Sequence, residues 1–350
     1  MSAVDNRRLS WEGFEAHRRE TDLQWEEIKM KTIRTFVASL AVSAAALGAP
    51  AVAQDYPHDT VTLVTHSRSG GGTDVFLREM TRYLGEYLGA DFVVENVRGG
   101  SGAKAMAKLA QAPADGSIFY GTTPTFINTS LLSNPDYTYK DLTGVVNVFL
   151  DPQVVYVRGE SPYENLTQVV EAAVDDPGSV IFGVTTPGSL DRQVMEKFKS
   201  LTGVTSPVVT HDGGGELLIS VLNGTVALGI GEIQELTAQL EAGEVRLITT
   251  YTQDRLGGDF ADVPTALEQG IDLVVNKFRG IAGPAGLPDE IFDKWETAIQ
   301  DVLEDEEFKE WYEAQSLVPA FMPHEEYNQF LEDFAAEQQE FFVTYGIVEE

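Results

Sequence analysis

Four short loops, each standing between a strand-like run and a helix-like run, are the stretches of this chain best suited to binding chemistry. They read RSGGGTD (68–74), TTPT (122–125), GVTTPGS (183–189) and HDGGGE (211–216). Glycine admits positive φ and leaves the backbone amides open to a ligand, which a Cβ would obstruct. The first N–H groups of a helix have no partner inside it and carry a partial positive charge. The loops therefore predict a site that holds an anion, above all a carboxylate, through backbone amides.

The candidate ligand-binding residues come from these loops and from two charged positions elsewhere, Glu232 and Arg279. In full they are Ser69, Gly70, Gly71, Gly72, Thr73, Asp74, Thr123, Thr186, Pro187, Gly188, Ser189, Asp212, Glu232 and Arg279. One such loop alone is more often only a tight turn, and Asp74 or Ser189 could simply cap a helix. Repetition at four corresponding places favours the binding interpretation. Two roles remain open for Arg279: it could contact the ligand, or it could anchor an extended strand against an acidic helix.

Enzyme signatures are mostly incomplete. The chain has no cysteine, which excludes disulfides, a thiolate nucleophile and a cysteine metal site. GGSGA (99–103) lacks the last glycine of the G-x-S-x-G motif of serine hydrolases. GIGEIQ (229–234) lacks the last glycine of the G-x-G-x-x-G motif that binds dinucleotides. His66 and His211 both end strand-like runs at the predicted cleft, so a secreted hydrolase or lyase acting on a small organic acid is the alternative function. No catalytic residue is assigned, and neither a cofactor nor a metal is expected.

The elements that must position these loops alternate between short strands and helices. The strand-like runs are 60–66, 91–96, 117–122, 145–150, 153–158, 179–184, 206–211, 225–231 and 244–251, and a helical tail follows residue 288. Such alternation predicts an α/β fold with two mostly parallel sheets covered by helices. An extended crossing near 157 and another near 279 predict two lobes around a cleft. Lobe one then comprises 54–157 and 280–350, and lobe two comprises 158–279.

The N-terminal segment has the layout of a secretory signal. From Met30 it offers two cations, an apolar stretch from Phe36 to Leu47 and the small residues Ala51, Val52 and Ala53. This stretch is too short for a lasting membrane span, so cleavage after residue 53 and export are expected. Residues 1–29 are interpreted as an upstream extension with Met30 as the true start. The alternative is a cytoplasmic extension before a signal anchor.

The net charge is strongly negative, because 24 Lys and Arg residues face 55 Asp and Glu residues, giving −31. Such a surface repels nucleic acid and anionic lipid and stays soluble in salt. It indicates a saline external medium, as in an acidic, halophilic proteome. Calcium binding is the rival explanation, but no D-x-D-x-D-G loop occurs.

Four segments carry a resemblance to a known family. They are YPHDTVTLVTHSRSGGGTDVFLREM, VVENVRGGSGAKAMAKLAQAPADGS, VPTALEQGIDLVV and FRGIAGPAGLP. In this order they resemble the solute-binding proteins of the tripartite tricarboxylate transporter family, often called Bug receptors. The resemblance runs from Tyr56 to Ile347.

This resemblance implies a periplasmic binding protein of the Venus-flytrap type. Such a receptor closes on a small, usually carboxylated solute and delivers it to a membrane permease of one large and one small subunit. The resemblance also implies that amides of 70–74 and 186–189 hold the carboxylate, often through water. We expect a non-enzymatic monomer without nucleic-acid partners.

The chain also departs from the family pattern. Arg68 and Ser69 replace a common Ala-Pro, and HDGGGE (211–216) replaces a loop that carries lysine. Together with Asp191, Asp212 and Glu232, these departures favour a mono- or dicarboxylate over a tricarboxylate.

The first prediction concerns salt. Adding NaCl shortens the Debye length from about 10 Å at 0.1 M to about 3 Å at 1 M, which weakens repulsion among like surface charges. The melting temperature of the protein should therefore rise with NaCl over this range. Differential scanning fluorimetry measures it, and a melting temperature that stays flat up to molar salt contradicts the prediction.

Overall fold

The computed structural model describes residues 56–275, 277–344 and 347–348. The predicted secretory segment, 1–53, lies outside these residues. Within the described part of the chain, none of the helices combines the length and the apolar character needed to cross a membrane.

Eleven strands are present in the described residues. They are β1 (Thr60–Thr65), β2 (Asp91–Asn96), β3 (Ile118–Thr122), β4 (Leu142–Asp151), β5 (Val154–Arg158), β6 (Phe182–Val184), β7 (Val208–Thr210), β8 (Leu228–Gly231), β9 (Val245–Thr250), β10 (Lys277–Pro284) and β11 (Val318–Met322). They form a six-stranded sheet in the order β11-β4-β10-β3-β1-β2 and a five-stranded sheet in the order β7-β6-β8-β5-β9.

Ten α-helices accompany the strands over the same residues. They are α1 (Gly72–Leu88), α2 (Ala103–Ala110), α3 (Pro124–Ser133), α4 (Leu166–Asp175), α5 (Leu190–Thr202), α6 (Gly214–Leu222), α7 (Ile233–Glu241), α8 (Asp289–Glu304), α9 (Glu306–Ala314) and α10 (His324–Thr344). Each long helix has one apolar stripe. In α1 the buried Phe76, Leu77, Met80, Leu84 and Leu88 recur every three or four residues, which places them on the face turned to the first sheet.

The predicted α/β class with two sheets is confirmed, but the sheets are mixed rather than mostly parallel. Strand β1 pairs in parallel with β2 and β3, whereas β10 runs antiparallel to β3 and β4, and β11 runs antiparallel to β4. In the second sheet β6 pairs in parallel with β7 and β8, and β5 runs antiparallel to β8 and β9. The antiparallel pairs involve the strands next to the two crossings. There the chain passes directly from one sheet to the other without the helical crossover that parallel neighbours need.

The two passages between the sheets lie side by side. Strand β4 ends at Asp151 and β5 begins at Val154, while the return path reaches the first sheet at Lys277. The backbone amide of Tyr251 donates to the carbonyl of Gln153 at 2.9 Å, which ties the second passage to the first. Lobe limits at 157 and 279 stay a prediction; by sheet membership, 154–158 belong with the second sheet and 277–284 with the first.

Each sheet has its own apolar core. Trp295 of α8 packs on Phe119 of β3 with ring centroids 4.6 Å apart, and Phe278 of β10 lies between aromatic rings of α3 and α10 on the other face. In the second sheet Phe182 of β6 meets Phe198 of α5 edge-on at 5.8 Å. Burial of each such side chain contributes roughly 1.5–3 kcal/mol, so each sheet is a stable platform for the loops at its edge.

Candidate functional site

One cavity lies between the two sheets, where strands of both end and helices begin. Its volume is about 60 Å³, enough for a few water molecules. The lining consists of His66, Ser67, Gly71, Gly72, Thr73, Thr123, Thr125, Thr185, Thr186, Ser189, Asp191, Asp212, Gly213, Gly214, Glu232, Glu235 and Lys277.

Helix N-termini dominate this lining. Helices α1, α3, α6 and α7 begin after Gly71, Thr123, Gly213 and Glu232, and no side chain of these four residues caps its helix. Only α5 is capped at the cavity, by the Ser189 hydroxyl, which accepts from the amide of Arg192 at 3.2 Å. Apart from the Gly72 amide, which donates to Glu235, these four ends direct N–H groups and a partial positive charge toward the cavity. The arrangement can therefore hold an anion without a dedicated cationic side chain.

The first glycine loop is braced from behind by Asp74. Gly70 has φ 82, a conformation that glycine adopts freely. The Asp74 carboxylate accepts from the Gly70 amide at 2.9 Å and from Asn96 Nδ2 at 2.8 Å, and it pairs with Arg78 at 2.9 Å. Burial alone would raise the pKa of Asp74, but the bonds from Arg78, Gly70 and Asn96 outweigh it and lower the pKa. Asp74 thus shapes the loop and does not line the cavity.

Glu235, in the first turn of α7, joins the two glycine loops. Its carboxylate accepts from the amide of Gly72 in the first loop. It also stands against Gly214 in the second loop, where an added Cβ would collide with it. Burial raises the pKa of Glu235 to about 7, although the bond from Gly72 opposes the shift. The carboxyl group therefore titrates near neutral pH at the place where helix amides converge.

A buried ionic network forms the wall behind the cavity. Arg279 of β10 is fully buried, binds the carboxylate of Asp151 and donates to Thr73 Oγ1 at 3.1 Å. Lys277 pairs with Glu232, which lies 3.7 Å from Arg279 Nη2. Burial lowers the pKa of Lys277 to about 8, with a further lowering from Arg279 and opposition from the nearby acids. Arg279 holds the wall in place and does not reach the lining.

Ion pairs close the rim of the cavity. Asp212, beside the second glycine loop, accepts from Arg68 and from Arg98, each at 2.8 Å. Arg68 also pairs with Glu216 of α6. These contacts join segments next to the first sheet to segments next to the second, so they fasten the two sides across the rim.

The two histidines differ in position. His66 lines the cavity, and its Nδ1 lies 2.7 Å from the Tyr120 hydroxyl. Burial, with Lys277 and Arg279 nearby, lowers the pKa of His66 to about 4, so the ring stays neutral at physiological pH. His211 is not in the lining: its Nδ1 lies 3.1 Å from the Val184 carbonyl and its Nε2 lies 2.8 Å from Ser220 Oγ. Both nitrogens of His211 are thus used within the fold.

Of the residues named from sequence, eight lie on the lining. They are Gly71, Gly72, Thr73, Thr123, Thr186, Ser189, Asp212 and Glu232. Ser69, Gly70 and Pro187 are exposed outside it, Asp74 and Arg279 stand behind it, and Gly188 packs against Thr129.

Sequence reasoning did not name several lining residues. Ser67, Thr125, Thr185, Gly213 and Gly214 belong to or adjoin the loops already singled out, so a wider choice within each loop would find them. Glu235 sits inside a helix, and Lys277 begins a strand. No local pattern distinguishes either from an ordinary surface charge.

Metal ligation has no candidate here. Among residues 56–275, 277–344 and 347–348, no group of three or more His, Cys, Asp or Glu residues is arranged to hold a metal ion.

Comparison with known proteins places this chain and its fold in a family. The model described as tripartite tricarboxylate transporter family receptor matches residues 76–346. Protein BugT of Bordetella pertussis is 26% identical over 304 residues, which are 85% of this chain and 92% of BugT. The solved structure of R. palustris Rpa4515 with adipate has a TM-score of 0.79 at 28% identity and covers 83% of this chain and 99% of that one. The periplasmic binding protein BugD has a TM-score of 0.78 at 23% identity, with the same coverages.

The chain therefore belongs to the tripartite tricarboxylate transporter receptor family, since the family model spans well over half of it. Its two mixed sheets with helices match the binding-protein fold of these structures, which confirms the predicted fold class. The chain is a solute-binding receptor, and the comparisons give no support to the hydrolase or lyase alternative.

The second prediction concerns Asp74. Asp74→Ala leaves the Gly70 amide and Asn96 without their buried acceptor, which costs about 1–3 kcal/mol of unfolding free energy. Because the folded-state pKa of Asp74 is lowered, this stabilisation is present above the unfolded pKa and is lost as the pH falls through the folded one. Denaturant unfolding should show a deficit at neutral pH that shrinks in acid. Glu86→Ala, at an exposed acid of the same helix, is the control, and equal stability of the two variants contradicts the bracing role.

Proposed function

We propose that the protein captures a small mono- or dicarboxylate and delivers it to a tripartite tricarboxylate-type permease of one large and one small subunit. The observation that carries this proposal is the convergence, on one cavity between two sheets, of four helix N-termini whose N-cap side chains make no capping bond. Amides and helix dipoles there would hold a carboxylate while the rest of the surface repels anions at long range.

Similarity to ligand-bound relatives supports the choice of ligand class. Rpa4515, at 28% identity and a TM-score of 0.79, is a structure with adipate. The family description names a tricarboxylate transporter system, which supports the proposed partner. We infer that the protein acts in the periplasm after removal of its signal segment, as a monomer in a saline medium.

The geometry suggests how capture works. One side of the cavity contributes Gly71 and Gly72, and the other contributes Gly213 and Gly214. A carboxylate that bonds to amides of both sides binds the closed arrangement better than an open one, and its binding energy therefore closes the lobes. The Gly72 amide already donates to Glu235, so an incoming carboxylate would find the protein's own carboxyl group beside the same amide.

The proposal includes the absence of catalysis. His66 stays neutral because of its low pKa, and its Nδ1 is engaged with Tyr120. His211, the other candidate base, is bonded through both nitrogens and lies off the lining. No described arrangement on the lining couples a nucleophile to either ring.

A direct test uses ligand-stripped protein. Thermal-shift screening against mono-, di- and tricarboxylates, followed by calorimetry of the hits, should give saturable binding of short carboxylates. The products of each mixture are then analysed. Turnover of a bound acid, or no stabilisation by any carboxylate, would refute the receptor function as proposed.

The third prediction compares neighbouring glycines. Gly214→Ala places a methyl group against the Glu235 carboxylate in the cavity, whereas an added Cβ at Gly215 meets no heavy atom within 4 Å. The variant keeps its backbone N–H, but the added methyl group would hold a bound carboxylate away from the amides of this loop, and loss of one charge-assisted hydrogen bond costs about 1.5–3 kcal/mol, or about ten- to a hundredfold in affinity. Gly214→Ala should therefore weaken carboxylate binding at least about tenfold, and Gly215→Ala should leave it unchanged. Calorimetry measures both, and equal affinities would place the anion elsewhere.

The fourth prediction concerns pH. Because the folded-state pKa of Glu235 is raised to about 7, the group is mostly protonated below that value and adds a negative charge to the cavity above it. Affinity for a carboxylate should therefore rise as the pH falls from about 8 to about 6, in the range where Glu235 titrates. Glu235→Gln keeps an acceptor for the Gly72 amide and should flatten this dependence. If Glu235→Gln keeps the same pH profile, another group causes the pH dependence of affinity. Lys277 is then the first candidate, because its pKa is about 8.

A further inference from the structure

The charges in and behind the cavity do not balance. Two buried cations, Lys277 and Arg279, face four carboxylates: Asp151, Asp191, Glu232 and Glu235. Lys277 pairs with Glu232, and Arg279 pairs with Asp151. The other cations near the rim, Arg68 and Arg98, pair with Asp212. Within residues 56–275, 277–344 and 347–348, neither Asp191 nor Glu235 forms an ion pair of its own.

Of these two carboxylates, Asp191 is the one with a buried oxygen atom that lacks a hydrogen-bond partner within the described part of the chain. It lies in the first turn of α5, is 2% exposed and forms part of the cavity lining. Its Oδ2 accepts from the hydroxyl of Thr185, but its buried Oδ1 has no hydrogen-bond partner among the described residues. A buried acceptor without a partner costs about 1–3 kcal/mol, more when it is charged. Such an atom on a ligand cavity calls for a donor supplied by the ligand.

The chemistry of that donor follows from the charges. Lys277 lies close enough to Asp191 for their charges to interact, yet its ammonium group is bonded to Glu232. His66, on the same lining, stays neutral because its pKa is lowered to about 4. A hydroxyl group of a ligand would satisfy the oxygen but leave the excess negative charge. An ammonium group supplies hydrogen-bond donors and, in addition, the missing positive charge.

We propose that the ligand carries a cationic nitrogen as well as a carboxylate, and that Asp191 is the residue that selects it. The ligand class is thus an amino-substituted carboxylic acid: its carboxylate faces the helix amides and its ammonium group bonds to Asp191 Oδ1. This inference rests on the proposed function, since it assumes that the cavity binds a carboxylate. It explains why a site for an acid contains more buried acids than bases.

The experiment uses matched acids that differ only at carbon 2. For chains of four, five and six carbons, calorimetry on the ligand-stripped full-length mature protein compares the unsubstituted dicarboxylate with its 2-hydroxy and 2-amino derivatives. The probes are succinate, malate and aspartate, then the glutarate and adipate series. At the best chain length, the 2-amino acid should bind at least about tenfold more tightly than the unsubstituted acid, the gain expected for one charge-assisted hydrogen bond.

The variant Asp191→Asn tests the residue itself. Asparagine keeps an oxygen that accepts from Thr185 but has no charge, so the fold should be retained and the preference for the 2-amino acid should fall at least about tenfold. Glu196→Gln, one turn further along α5 and paired with Arg192 at 2.8 Å, is the matched control and should keep the preference.

The outcomes separate this inference from the proposed function. If unsubstituted or 2-hydroxy acids bind as tightly as the 2-amino acids, or if Asp191→Asn keeps the preference, the inference is wrong while a carboxylate receptor still stands. If no acid of any series binds, the proposed function fails, and the inference fails with it.

Discussion

The buried ion pair between Arg279 and Asp151 holds together the elements that surround the cavity. It joins β10 to the end of β4, just where the chain leaves the first sheet for the second. Gln234 of α7 donates to the same carboxylate at 2.7 Å, and Thr73 of the first glycine loop accepts from Arg279. Removing one partner of such a pair leaves an uncompensated buried charge, at a cost of about 3–5 kcal/mol. The pair therefore fixes the crossing, the loop and the second sheet relative to one another.

The anion site proposed in front of this wall uses backbone amides, although the net charge of the chain is −31. The local attraction by helix N-termini and the long-range repulsion by surface charges do not conflict. Helix N-termini act within their first turn, whereas the field of the surface is screened beyond a Debye length of about 8 Å at physiological salt. Under the proposed function, side-chain charges inside the cavity would decide which substituents a bound acid can carry, since they lie within the same short range.

Much of the frame could be predicted because it depends on local patterns. All nine strand-like runs contain strands, and the glycine loops do open helices at the cavity. Strand β11 was not predicted, because Pro319 lacks a backbone donor and is tolerated in a strand only at the edge of a sheet. The mixed pairing and the places of Lys277, Glu235 and Arg279 depend on contacts between distant segments. Asp74 illustrates both ranges: its type and spacing suited a ligand contact, but a hydrogen bond from the distant Asn96 and one from Arg78, a turn along its own helix, hold it behind the cavity.

The fastening at the rim differs in kind from the buried wall. Asp212 is largely exposed, with a side chain 66% accessible, while Arg279 and Asp151 are each 1% accessible. Dissolved salt screens exposed pairs strongly and buried pairs little. At high salt the ion pairs at the rim therefore weaken while the buried pair keeps its strength, so salt would ease the separation of the two sides of the cavity without altering the geometry of the wall behind it.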